Sequence, residues 1–332
     1  MKKIIALFLI SLVLLVGCGR ESEQSIINGL NKKIDGTKSY KLTGNLEIVN
    51  NDEVYKYKVE VSYKKGDYYK VSLVNTNNNH TQIILKNKEA VYILTPSLNK
   101  SFKFQSDWPG SNSQIYLLKS IIEDINKDKE RKFTKTKNHY QFITKVNYPN
   151  NKKLKKQKII VSKKLNIKQI SVYDKNGSIA INMKINKINY HPLFNRNYFK
   201  IKNIMKSYKV SKNQTKKTTK LDDSIYPLFI PKGTKLFNEE KLKKDVGERI
   251  IMTFNGKKPF VLVEETSNKL DEFTIIPTSG EPYRLMDTLG VMNDNSLSWT
   301  SSGIDYYIVS DVLNKQELVE VAQSINLVQT SK

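Results

Sequence analysis

Few side chains in this 332-residue sequence are of types that do covalent or acid–base chemistry, and their spacing sorts them quickly. Cys18 is the single cysteine, so no second thiol exists for a disulfide or a Cys-ligated metal. His80, His139 and His191 are scattered, and no two have the His-x-x-x-His interval that aims two imidazoles at one metal. There is no Gly-x-Ser-x-Gly elbow to present a nucleophilic serine, no phosphate-cradling glycine loop and no dinucleotide fingerprint. The acidic residues of 225–332 are numerous, but none pairs at a spacing that suggests a general acid and its base. The expectation is a non-enzyme with no catalytic residue, no metal ligand and no cofactor. The chemistry that remains belongs to Cys18.

Cys18 ends an N-terminal segment with a positive start at Lys2 and Lys3 and an apolar run from Ile4 to Val16, broken only by Ser11. As a helix that run spans about 20 Å. A bilayer core of about 30 Å takes about 20 residues, so the run reads as the apolar part of a signal peptide over 1–17 and not as a membrane span. Leu15-Val16-Gly17-Cys18 resembles a bacterial lipobox, with Val16 where Ala or Ser is commoner. The resemblance implies cleavage before Cys18 and a diacylglyceryl thioether on its sulfur. The protein is then expected on the extracytoplasmic face of the cell membrane, held by lipid.

Net charge is +24, and it is unevenly divided: residues 221–332 are net acidic, while residues 1–220 carry all the excess positive charge. That asymmetry points to two domains with different surfaces. The densest basic stretch runs from Arg131 to Lys164 and includes Lys152-Lys153-Leu154-Lys155-Lys156. A basic surface often means nucleic acid, but export removes that partner and leaves lipid headgroups and wall polymers. A Lys-, Asn- and Ile-rich composition is also enough to explain the charge.

The elements follow from periodicity. Ile26, Ile27, Leu30 and Ile34 fall at helical spacing, with Asp35-Gly36 as a stop. From Tyr40 the period becomes two, and Tyr55, Tyr57, Val59, Val61 and Tyr63 alternate with Lys56, Lys58, Glu60 and Ser62. Tyr69 to Leu73, Ile83 to Leu85 and Val91 to Leu94 continue the meander. Gln114 to Ile125 reads as a helix, and strands resume at Tyr140–Val146, Lys158–Val161, Ile167–Tyr173 and Ile179–Ile188. The expected fold class is α+β: a broad curved antiparallel sheet over 18–210 with helices covering one face. Residues 211–224, Lys/Thr-rich, read as a linker. A smaller α+β domain over 225–332 takes strands at Arg249–Phe254, Phe260–Glu264 and Tyr306–Val309, and a closing helix with Asn314 and Glu317 at capping-box spacing.

One segment carries a family resemblance: Leu94-Thr95-Pro96-Ser97-Leu98-Asn99-Lys100-Ser101-Phe102-Lys103-Phe104-Gln105-Ser106-Asp107-Trp108-Pro109, followed by Ser113-Gln114-Ile115-Tyr116-Leu117-Leu118. It resembles the sporulation and germination lipoproteins of spore-forming Firmicutes, the group related to the germination lipoprotein GerS, whose fold is similar to that of LolA-type lipoprotein carriers. Residues 225–332 resemble an accessory domain of its longer members. The resemblance implies a LolA-like half-barrel and a protein that binds and supports a cortex-modifying N-acetylmuramoyl-L-alanine amidase in the space between mother cell and forespore. Physically, Pro96 ends a strand, and Phe102, Phe104 and Trp108 either pin a stiff corner or form a docking epitope for a protein partner. The alternative reading is a lipid or lipoprotein carrier that uses an apolar cavity in the sheet. Expected partners are therefore the membrane through Cys18, a cortex amidase, a lipid, or a second copy of the chain.

Overall fold

Alternating apolar and polar residues build most of the molecule, and the places where alternation fails show where an element is buried on both faces. The structure is a computed structural model that describes residues 21–50, 53–110, 112–148, 151–209, 221, 223–270, 272–285 and 288–330. The signal segment with Cys18, the turn residues Asn51-Asp52 and Pro149-Asn150, and all of the 211–224 linker except 221, 223 and 224 lie outside the described residues.

The first sheet opens with helix α1 (Glu23–Asp35), then strands β1 (Ser39–Asn50), β2 (Glu53–Lys64), β3 (Tyr68–Asn75), β4 (Thr81–Lys86), β5 (Val91–Thr95) and β6 (Lys100–Phe104). Helix α2 (Leu118–Lys127) interrupts, and β7 (Lys132–Lys135), β8 (His139–Lys145), β9 (Leu154–Ser162), β10 (Ile167–Asp174) and β11 (Ile179–Asn189) complete the run before helix α3 (Ile201–Lys209). The second half contains β12 (Thr234–Lys243), β13 (Glu248–Gly256), β14 (Phe260–Thr266), β15 (Thr274–Thr278), β16 (Glu281–Arg284), β17 (Leu289–Met292), β18 (Ser296–Ser301), β19 (Ile304–Val309) and helix α4 (Lys315–Thr330). The fold class is α+β, with a twelve-stranded sheet and a seven-stranded one.

The large sheet runs β15-β6-β5-β4-β3-β2-β1-β11-β10-β9-β8-β7. Its neighbours pair antiparallel except β15 with β6, which are parallel. The register of β1 against β11 shifts between Thr43 and Gly44. A Cβ on Gly44 would lie 2.4 Å from the Lys184 carbonyl oxygen, so only glycine fits this bulge. One face is covered by α1 and α2. Ile26, Ile27 and Leu30 of α1 and Ile121, Ile122 and Ile125 of α2 share a core with Leu42, Leu46, Val59 and Val61. Ser22 caps α1, accepting a hydrogen bond from the Ser25 amide at 3.1 Å.

Helices were expected on one face, but α3 packs on the other. Phe199, Ile204 and Met205 bury against Ile83, Leu85, Tyr92 and Leu94, while Ile84, Val91 and Ile93 point into the first core. Strands β4 and β5 are thus buried on both sides, which is why they read as unbroken apolar runs.

The second sheet runs β12-β13-β14-β19-β18-β17-β16, with Leu318, Val321, Ala322 and Ile325 of α4 in its core. Asn314 caps that helix as its spacing suggested: the Glu317 amide donates to Asn314 Oδ1 at 3.1 Å, and the Asn314 amide donates to Glu317 Oε2 at 3.2 Å. Leu221 is buried in this second core. Between β14 and β16 the chain leaves its own sheet, lays β15 beside β6, and returns. The second half therefore has its own core and lends a strand to the first sheet.

Candidate functional site

The two sheets are joined by polar contacts that sequence periodicity does not signal. Asn99, in the left-handed region at φ 53°, donates from Nδ2 to the Leu270 carbonyl at 2.6 Å, and its own carbonyl accepts the Thr274 amide at 2.9 Å. Lys100 pairs with Asp305 at 2.9 Å. Gln82, buried on β4, receives the Leu289 amide at Oε1 at 2.6 Å and donates from Nε2 to Thr288 Oγ1 at 2.9 Å. The Gln82 bonds hold the β16–β17 hairpin over the large sheet, and those of Asn99 and Lys100 tie β15 and β19 to its edge. Leu289 and Val291 of that hairpin join the first core.

A cleft of about 310 Å³ lies between hairpin and sheet. Its walls include Ile48, Ile84 and Ile181 from the sheet, Trp108 and Tyr116 from the crossover, and Leu289 from the hairpin. Arg284, half-buried at the end of β16, also lines it. Its guanidinium carbon lies 5.2 Å from the centre of the Tyr116 ring. Arg284 Nη2 is buried with no hydrogen-bond partner among the described residues. Burying a charged donor unsatisfied costs more than the roughly 1–3 kcal/mol of a neutral one. Tyr148 lines the same cleft, and burial pushes its hydroxyl well above the usual phenol range, the Asp124 charge adding to the rise and Arg284 opposing it.

The three aromatic residues singled out in the sequence lie along the route to this cleft. Phe104 is fully buried on β6 and Trp108 is buried after it, its ring edge-on to Tyr69 at 6.0 Å. Phe102 is half-buried against the same core. Phe102 stands opposite Ile276 and Phe104 opposite Thr278, so the strand edge that they would offer to a partner is occupied by β15 of the same chain. They form no exposed epitope, and Trp108 serves as cleft wall. Tyr55 and Tyr57 are buried, and Tyr63 stacks between Tyr40 at 5.1 Å and Tyr69 at 5.0 Å. Cys18 lies outside the described residues.

Two buried acids escaped sequence reading. Glu264 has no exposed surface; its Oε2 accepts the Ile225 amide at 3.0 Å, its Oε1 has no partner among the described residues, and burial pushes its carboxyl up to about 8. Asp124 accepts from Gln157 Nε2 at 2.7 Å, and burial raises it to about 6. A signal for Glu264 existed: it continues the inward series Phe260, Leu262. Burial lowers His80. Among the described residues no cluster of His, Cys, Asp and Glu could hold a metal ion, and no helix is long and apolar enough to cross a membrane.

A broad antiparallel sheet, a second sheet tied to its edge and a cleft of mixed apolar and polar lining between them define the class: a two-sheet α+β protein with an open cleft at the junction. No known family profile matches the chain. The chain is 36% identical over 321 residues to the sporulation protein YdcC of Bacillus subtilis (strain 168), covering 96% of this chain and 94% of the relative. It belongs to the family of that sporulation protein. Among solved structures it is similar to one chain of the complex between the CwlD amidase from Clostridioides difficile and the GerS lipoprotein (19% identity, 51% of this chain and 96% of that one, TM-score 0.32). It is also similar to the Pseudomonas aeruginosa MucA/MucB complex (10% identity, 91% and 97%, TM-score 0.33) and to a LolA superfamily protein from Nitrosomonas europaea (10%, 53% and 96%, TM-score 0.31).

Proposed function

We propose that this sporulation-family protein is a lipid-anchored, non-catalytic lipoprotein on the extracytoplasmic face of the membrane, where it binds and supports a cortex-modifying N-acetylmuramoyl-L-alanine amidase. The observation that carries the reading is the family match over nearly the whole chain, joined to the lipobox at Cys18 and the germination-lipoprotein resemblance of residues 94–118. The start of the described chain adds a geometric support. Glu21 pairs with Lys135 at 3.0 Å and Lys163 at 3.3 Å, and Glu23 with Arg131 at 2.7 Å. Three Cα–Cα steps take the chain from Cys18 to Glu21, a reach of at most about 11 Å. A lipid on Cys18 would therefore hold the basic end of the large sheet, with Lys132, Lys137 and Lys164, against the headgroups, where each lysine gains about 1 kcal/mol. Confinement to the surface raises the effective concentration of a partner. Leu228, Phe237 and Val246 of the second half stand more than half exposed around β12, an apolar rim suited to a protein partner.

The test is a deletion strain and a Cys18→Ala strain. Deletion should alter cortex muropeptides and germination, and Cys18→Ala should release the protein from the membrane and reproduce the deletion. Unchanged cortex and germination in the deletion strain would refute the role. A second reading, in which the protein binds lipid, is favoured by the cleft between the sheets, which has an apolar wall.

A further inference from the structure

We propose that the cleft between the two sheets is a binding site for a single-chain anionic amphiphile, a fatty-acid carboxylate, with Arg284 as the clamp for its headgroup. The inference rests on the second reading above and names its ligand class. Ile48, Ile84, Ile181 and Leu289 give the cleft an apolar wall, and Arg284 stands in the polar part of its lining. The Tyr116 ring beside the Arg284 guanidinium engages its face. Its Nη2 has no hydrogen-bond partner among the described residues, and a guanidinium matches a carboxylate in two parallel hydrogen bonds.

The other charged groups around the cleft are committed or stand in solvent. Lys153 pairs with Glu320 at 3.1 Å. Asp174 Oδ1 accepts the Asn176 and Ser178 amides, both at 2.9 Å. Glu281 is exposed at the rim. Arg284 makes no ion pair among the described residues, and its Nη2 has no hydrogen-bond partner there. Tyr148, in the same cleft and near enough to feel the Arg284 charge, brings a second donor. The volume, about 310 Å³, sits at the small end of ligand cavities. One acyl chain suits it and a two-chain lipid does not.

The test uses the full chain in phosphatidylcholine vesicles, with Trp108 as reporter. Trp108 lines the cleft, and the other tryptophan, Trp299, is buried in the second core. Bromine on a chain in the cleft quenches Trp108, whereas bromine dissolved in the bilayer lies too far away. The probes are 11-bromoundecanoate and the neutral 11-bromoundecanol, with acetate as a headgroup lacking the chain. The acid should quench saturably, the alcohol should need roughly tenfold more for half effect, and acetate should not compete at equal concentration. Arg284→Gln should bring the acid down to the level of the alcohol. Equal titration of acid and alcohol by the unaltered protein, or an acid preference that survives Arg284→Gln, would overturn the clamp and leave lipid binding standing. No saturable quenching by either probe would overturn both. The acid–alcohol comparison needs no variant, so it stands even if Arg284→Gln folds poorly.

Discussion

Glu264→Gln should make this protein more stable, by an amount that grows with pH. Burial raises the Glu264 carboxyl from 4.5 to about 8. In the unfolded chain it ionises near its ordinary value, while in the folded chain it keeps its proton. Above pH 4.5 the unfolded state therefore sheds a proton that the native state retains, and stability falls as pH rises until the folded group also ionises near 8. Each pH unit of that window is worth about 1.4 kcal/mol, so at pH 7 the native state is penalised by about 3 kcal/mol. Glutamine stays neutral and keeps an oxygen to accept the Ile225 amide. The variant should match the native protein near pH 4.5 and exceed it by about 3 kcal/mol at pH 7. With an m-value of about 3 kcal/mol/M, that moves the urea midpoint by about 1 M. Asp124 and His80 titrate in both proteins and cancel in the difference. Urea unfolding at pH 5, 6, 7 and 8, followed by tryptophan emission, is the assay. A variant less stable than the native protein at pH 7, or a difference that does not change with pH, would refute the reasoning.

Two further substitutions probe the junction between the sheets. Gln82→Leu removes the bonds to Thr288 and Leu289 and strands a buried amide, at a cost of about 2–4 kcal/mol; hydrogen exchange at the Leu289 amide should speed up, and unchanged protection there would count against the clamp. Asn99→Val forces a β-branched residue to φ 53° and removes the bond to Leu270, costing about 2–4 kcal/mol. Asn99→Gly keeps the conformation and loses only the bond, so its melting temperature should fall less than that of the valine variant.

Local pattern was enough to place the strands from β1 to β5 and from β8 to β11, both core helices of the first half, and the Asn314–Glu317 cap. Most of these bury one face, and β4 and β5, buried on both, read as short apolar runs, so in each case the element's own residues carry the signal. The α3 stripe, Ile204, Met205 and Tyr208, also stands at helical spacing, but it lies in so lysine-rich a stretch that its short apolar pattern does not stand out. What stayed hidden depends on distant residues. In β6, Lys100 to Phe104 alternates for only five residues, and pairing holds it on both sides, by β5 and by β15, more than 150 residues later. β12 is almost wholly exposed and is held by backbone pairing with β13 and by polar bonds from Thr234 and Glu239, which no apolar periodicity reports. The cleft requires Arg284 to meet Tyr116 across two cores, and no spacing in the chain foretells that meeting.

The strand that β15 lends to the large sheet also orders events during synthesis. Strands β1 to β11 have all emerged by residue 189, but the free edge of β6 waits for residues 274–278. Until then the nascent chain presents an open row of amides and carbonyls beside Phe102 and Phe104, the kind of edge that invites pairing with another chain. The opposite edge, β7, is four residues long and carries Lys132 and Lys135, a blunted end that needs no cover. A chain truncated before Thr274 would therefore expose one sticky edge and one protected one. Its self-association should run through β6, and residues 274–278 act as a cap that the protein supplies to itself last.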